Sequence, residues 1–375
     1  MELKKCILTG EDITAANDSR GHVIPSSLGG RLKPKGLVTK EANTTLNDRL
    51  DAPMVRALTP FMALLGGSRD GGTTAPIEMT DADGVAYRVS AGKPMTLARP
   101  GYDETPLGEG TRVEIRARTM PEARHLLQRA KSAFPQVDVD AAMNHAKMGS
   151  RYLQDMLRHQ VELGPNRLFP GTFGIANLYA AHLGQPTHPD FKSYVETVPP
   201  RTGATSDHIS VPMPPDTFYW IPGQLPVVAP AGIHHQLVYV SDRANRRALV
   251  YVSLFNLPAI AVTLPFNGNQ DVEAHYAVDI LSGEPLTLAV DAPSIRAIPW
   301  KSSHEDTRVY IDLVPAAVGR ILEVAVKKSQ DLELERIITE ELGDAPVIDA
   351  AAIGRISTRV AHMLAAQILT RHRQR

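Results

Sequence analysis

The first place in this chain where side chains of the right types crowd together is the stretch SRGHVIPSSLGGRLKPKGLVTKEANTTL, residues 19–46. From Arg20 to Lys40 it carries five basic residues (Arg20, Arg31, Lys33, Lys35 and Lys40) and no acidic one. A loop charged in this way suits contact with a phosphate backbone. A solvated charged face is the plainer reading of the same run. Within the stretch, His22 is the one side chain able to take a proton near neutral pH. Held on a hairpin strand against a polar helix, it would deprotonate a water for attack on phosphorus. A divalent metal between the helix and the strand end would stabilise the leaving oxygen. The helix offers Asn43, Asn47 and Asp48, and Asn43 and Asn47, four apart, share a face.

Such chemistry needs a hairpin and a helix to position it. Val23-Ile24 and Leu37-Val38 are short apolar pieces separated by a Pro/Gly-rich loop, which reads as a hairpin. Leu46, Leu50 and Met54 then fall at i, i+4 and i+8, a helical stripe. The first fifty residues therefore read β-β-α. GGSRDGGTT (66–74) reads as a flexible joint. Strands are expected at 86–89, after the Asp83-Gly84 turn, and at 111–116. Helices are expected at 121–133, 140–163 and 171–183, and Asp138 and Asp140 read as a surface turn before the second of these. A β region is expected over 216–300, with β-branched and aromatic runs between polar turns. Helices follow at 314–328, 330–342 and 349–372, the last with Ile353, Ile356, Val360, Leu364 and Ile368 on its apolar face. In GIHHQLVYV, alternation sends His234 and His235 to opposite faces, one packed and one exposed. The fold class is α+β: a ββα module at 1–65, a mixed β/helical region at 75–198, and a β region with C-terminal helices at 205–375.

Composition narrows the function classes. Lys and Arg total 40 against 41 Asp and Glu, a net charge of −1, so any nucleic-acid contact must come from a local patch. One cysteine rules out an intramolecular disulfide and a four-cysteine zinc site. No apolar run approaches the ~20 residues of a membrane span. MELKKCILTGEDI is too polar and short for a secretory signal. A cytoplasmic protein with no membrane partner is expected, and a homo-oligomer is compatible with the chain.

Residues 6–56 resemble the HNH endonuclease family. In one branch the hairpin carries an acidic residue, His, two apolar residues and Pro, then a Gly-Gly turn, and the stretch ends in Cys-Asn at the helix start. Gly21-His22-Val23-Ile24-Pro25, Leu28-Gly29-Gly30 and Ala42-Asn43 stand in those places here, and Leu46 and Leu50-Asp51-Ala52-Pro53 also fit. The resemblance implies a ββα-metal site using Mg²⁺ or Mn²⁺, with His22 as general base and Asn43 as a metal ligand or its support. The branch often clamps its hairpin with zinc on two Cys-x-x-Cys knuckles. Their positions here are Cys6, Thr9, Thr39 and Ala42, so no structural zinc is expected. The acid before the His is replaced by Gly21, and the middle Asn that orients the His would fall near Gly36. Asp18 or Asp48 is left to supply the metal carboxylate, and the hairpin must be held by packing of Ile7, Leu8, Val23, Ile24, Leu28, Leu37 and Leu46.

Two functions compete on this reading, with a third behind them. One is a metal-dependent HNH-type nuclease acting on nucleic acid, DNA ahead of RNA. Another is a catalytically degenerate HNH-fold protein that binds nucleic acid or a protein partner without cleaving. The last makes the hairpin a structural cap on an α+β scaffold.

Overall fold

The computed structural model describes residues 4–70, 72, 74–108, 110–146, 157–200, 211–220, 227–228, 231–298, 300, 308–343 and 349–372. They form two compact units, one from Met1–Thr74 with Val161–Val326, the other from Ala75–Gln160 with Lys327–Arg375. The fold is mixed α+β, and the strand pairs among the described residues are all antiparallel.

The two N-terminal strands expected from the sequence do not form as ladders. Residues 4–39 run back and forth with scattered cross-bonds: Ile7 N–H to the Leu37 carbonyl (2.9 Å), Ser19 N–H to Val38 (3.1 Å) and Val23 N–H to Leu32 (3.0 Å). His22 therefore lies in irregular backbone. The cause is local. Pro25 and Pro34 have no N–H to give a ladder, Ser26–Leu28 close a 3-10 turn, and Gly29 sits at φ 91°. Gly30 passes so close to the Ile24 carbonyl that any side chain there would overlap backbone. Packing of the hairpin nonetheless follows expectation: Leu8, Val23, Ile24, Leu28, Leu37 and Leu46 are buried, and Ile7 packs against them half-buried.

Thr39 caps the first helix, α1 (Lys40–Leu46), by accepting the Ala42 N–H at 3.2 Å. The helix does not stop at Leu46. It widens into one π-helical turn, Asn47–Asp51, and continues as α2 (Ala52–Leu65) to Gly66 in the left-handed conformation. The wide turn precedes Pro53, which has no N–H for the Arg49 carbonyl. Leu46, Leu50 and Met54 are all buried, as their spacing required.

In the second unit, β1 (Ile77–Thr80), β2 (Ala86–Val89) and β3 (Thr96–Leu97) make a three-stranded sheet, and β4 (Gly101–Leu107) and β5 (Gly110–Arg116) a separate ribbon. Helix α3 (Met120–Ala133) is capped by Thr119. Helix α4 (Val139–His145) is capped by the Asp138 carboxylate, which accepts the Asp140 and Ala141 N–H groups at 3.0 Å. Of the long helix expected over 140–163, 147–156 lie outside the described residues; α4 stops at His145 with Ala146 extended, and Arg158 bridges to Thr80 through two backbone bonds, which helical geometry forbids.

Back in the first unit, α5 (Pro165–His182) begins six residues before the expected 171, and α6 (Phe191–Thr197) was not legible. Arg49 donates to the Val195, Glu196 and Val198 carbonyls, satisfying the C-terminal end of α6. The β region holds β6 (Thr217–Tyr219), β7 (Val227–Val228), β8 (His234–Asp242), β9 (Arg247–Ser253), β10 (Ile260–Pro265), β11 (Glu273–Asp279), β12 (Pro285–Leu286) and β13 (Ala289–Val290). Six of these form one sheet in the order β12-β11-β8-β9-β10-β6. One buried cluster joins hairpin, α2, α5 and this sheet. After α7 (Ala292–Ala297), the two helices expected over 314–342 are one, α8 (Val314–Leu342), followed by α9 (Ala350–His372). On α9 the buried face coincides with the expected one only in part. Ala352 and Met363 are buried and the expected Ile356 and Val360 are half-buried beside them, while Ile353 and Leu364 are 54% and 47% exposed. Among the described residues no helix is long and apolar enough to cross a membrane.

Candidate functional site

His22 from the hairpin and the polar face of α1 meet across a cleft of about 410 Å³. Its walls carry Arg20, Gly21, His22, Ser26 and Ser27 on one side, and Asn43, Asn47, Asp48 and Asp51 on the helix. The Asn43 side chain lies against the Gly21 backbone, where a Cβ would overlap its Oδ1. An amide oxygen thus fills the space that a side chain before His22 would take.

Asp51, not among the expected site residues, also lines the cleft. It follows Asn43 and Asn47 at the same four-residue spacing, and the π-helical turn keeps it at the cleft wall. Its carboxyl is half-buried and makes no hydrogen bond or ion pair among the described residues. Burial pushes it up from its ordinary 3.8 to about 7. The folded chain therefore holds a proton at Asp51 that the unfolded chain has lost between about pH 4 and 7. Stability from this group falls as pH rises through that window. Asp51→Asn is expected to match wild type in stability near pH 4 and to exceed it at pH 8 by about 2–4 kcal/mol. Urea melts at the two pH values check this; an equal difference at both would contradict it.

Behind His22 stands a charged cluster. The Asp70 carboxylate accepts from His22 Nε2 at 3.3 Å, and its oxygens also pair with the Arg31 guanidinium and the Lys33 ammonium. Arg31 is held further by Ser68 Oγ, and its backbone N–H donates to the Tyr276 hydroxyl at 3.2 Å. Hydrogen bonds from Lys33, His22 and Arg31 hold the Asp70 carboxyl well below the usual carboxylate range. Burial, aided by Lys33 and Arg31, outweighs Asp70 and holds the His22 imidazole below its ordinary 6.5. The segment around Asp70, expected as a flexible joint, is tied down by these pairs and by the Ser68 N–H to the Ile280 carbonyl (2.8 Å).

The other expected site residues separate. Arg20 is exposed at the cleft, and Lys35 is exposed away from the lining residues. Lys40 donates to the Ala16 carbonyl at 2.8 Å. Arg31 and Lys33, expected on phosphate, are engaged with Asp70. Asp18 is absent from the cleft lining and instead accepts the Gly36 N–H at 2.9 Å, closing the turn there. The knuckle positions do converge. Burial raises the Cys6 thiol, but hydrogen bonds with the Thr9 side chain and with the Thr39, Thr9 and Leu8 backbone outweigh it and bring it below its ordinary range. Thr39 in turn accepts from Ala42. Among the described residues no three His, Cys, Asp or Glu side chains gather at metal-binding distance.

His234 and His235 depart from expectation, since both are buried. His235 Nε2–H donates to the Leu28 carbonyl (2.7 Å) and its Nδ1 accepts the Phe255 N–H (3.1 Å), which ties the hairpin to the sheet. Burial takes its imidazole down to about 4, so it stays neutral. No family model, no curated protein and no solved structure matches the chain.

Proposed function

We propose that this chain is an HNH-type nuclease-fold protein that hydrolyses phosphodiester bonds in nucleic acid, DNA ahead of RNA, with His22 as general base. The observation that carries the reading is the single cleft in which an irregular hairpin segment brings His22 opposite Asn43, Asn47 and Asp48 of the helix. An imidazole held below its ordinary pKa is neutral at pH 7 and free to accept a proton from water. Arg20 at the same cleft offers a positive charge to a phosphate oxygen, and Ser26 and Ser27 offer hydroxyl donors.

The helix wall fits a hard divalent cation in donor type, since Asn43, Asn47, Asp48 and Asp51 all present side-chain oxygens and no soft ligand. When bound there, Mg²⁺ or Mn²⁺ would supply positive charge for the scissile phosphate. Asn43, pressed on Gly21, would orient its oxygen for that role.

The degenerate reading, binding without cleavage, draws support from Gly21, which leaves the hairpin wall without a carboxylate. Incubation of supercoiled plasmid and of single-stranded RNA with Mg²⁺ or Mn²⁺ separates the two. Nicking that stops with a chelator is expected. Tight binding with a steep salt slope and intact strands on both substrates would favour the binder.

A further inference from the structure

We infer that Asp70, which lies outside the hairpin-helix segment, is the residue that positions His22 and sets which ring nitrogen carries its proton. This rests on the reading of His22 as a base. The place near Gly36 has no side chain to do so: Gly36 sits at φ 71° with its N–H on Asp18. Asp70 meets His22 at Nε2. His22 lines the cleft, whereas Asp70, Arg31 and Lys33 do not.

An ionised carboxylate at Nε2 is an acceptor only, so the neutral ring must place its hydrogen on Nε2. Nδ1 then keeps its lone pair and is the atom left to take a proton from water. On protonation the ring becomes an imidazolium whose Nε2–H already faces a negative oxygen.

The support of Asp70 is built rather than incidental. Arg31 and Lys33 hold the carboxylate, Ser68 and Tyr276 hold Arg31, and Gly283 is bare where a Cβ would press on the guanidinium. Two cations of the basic run thereby serve the base instead of the substrate. Their charge also opposes protonation of His22, which offsets what Asp70 alone would do to it.

The test pairs kinetics with ring-nitrogen NMR of His22 in the full chain. Wild type is expected to show the Nε2–H tautomer. Asp70→Asn, whose amide can donate to Nε2, is expected to show Nδ1–H or a mixture, and to lower kcat for Mn²⁺-dependent plasmid nicking by about 10²-fold with KM within threefold. Asp70→Glu, which keeps the carboxylate, should retain the Nε2–H tautomer and recover part of kcat. A wild-type ring protonated at Nδ1, or an Asp70→Asn tautomer identical to wild type, would overturn the inference. So would a gain in DNA affinity and kcat in Asp70→Asn, which would make Asp70 a plug on Arg31 and Lys33. If wild type cuts nothing, the nuclease reading fails while the tautomer measurement still decides on Asp70.

Discussion

His22→Ala is expected to lower the rate of Mn²⁺-dependent nicking by about 10²–10⁴-fold, the usual contribution of a positioned general base. The fold should survive. His22 is half-buried in irregular backbone, and its side chain bonds Asp70, which keeps Arg31 and Lys33 after the ring is gone. Nucleic-acid affinity should change little for the same reason. The loss therefore belongs to kcat, and circular dichroism with a binding titration separates it from unfolding. Asn43→Ala should also reduce cleavage, but through the helix wall, so raising the Mn²⁺ concentration should recover part of its activity and none of that of His22→Ala. Equal Mn²⁺ responses in the two variants would contradict separate roles.

Gly30→Ala is expected to be the most destabilising of these substitutions. The added methyl would overlap the Ile24 carbonyl carbon and oxygen, which belong to backbone and cannot swing aside. Ile24 is fully buried, so the chain opposite has no room to retreat. Overpacking against side chains costs about 1–3 kcal/mol; against fixed backbone it should reach the top of that range or more. Because the same turn shapes the cleft, nicking should fall with stability. Gly319→Ala supplies the contrast. Gly319 lies in α8 with nothing near its missing Cβ, so alanine there should stabilise by about 0.5–1 kcal/mol through helix propensity alone. Urea midpoints of the two variants moving the same way would contradict this account of the glycines.

The mixed α+β class and the β region were legible because they rest on local pattern. Runs such as 234–242 and 247–253 are rich in β-branched and aromatic residues and stand between polar turns, and they are strands here. The stripe Leu46, Leu50, Met54 was legible for the same reason. Asp70 was not, because it lies 48 residues from His22 in a glycine-rich segment, and only the closing of the chain brings the two together. Asp51 follows Asn43 and Asn47 at the same spacing, but the burial that raises its carboxyl comes from tertiary packing and leaves no mark in the local pattern. The two helices expected over 314–328 and 330–342 run on as one, because Lys327-Lys328-Ser329-Gln330 holds no Gly or Pro to stop the helix. On α9, Arg355 and Arg359 pair with Glu340 and Glu341 of α8. These pairs favour the rotation that buries Ala352 and Met363, and a single helix's hydrophobic pattern carries no sign of them.

If His22 takes the proton from the attacking water, an external base should stand in for its ring. Purified His22→Ala would be assayed for Mn²⁺-dependent nicking with and without added imidazole. The variant is expected to be nearly silent alone and to regain cleavage in proportion to the concentration of neutral imidazole, as a diffusible base replaces the missing ring. Nicking by His22→Ala at the wild-type rate without imidazole would contradict it.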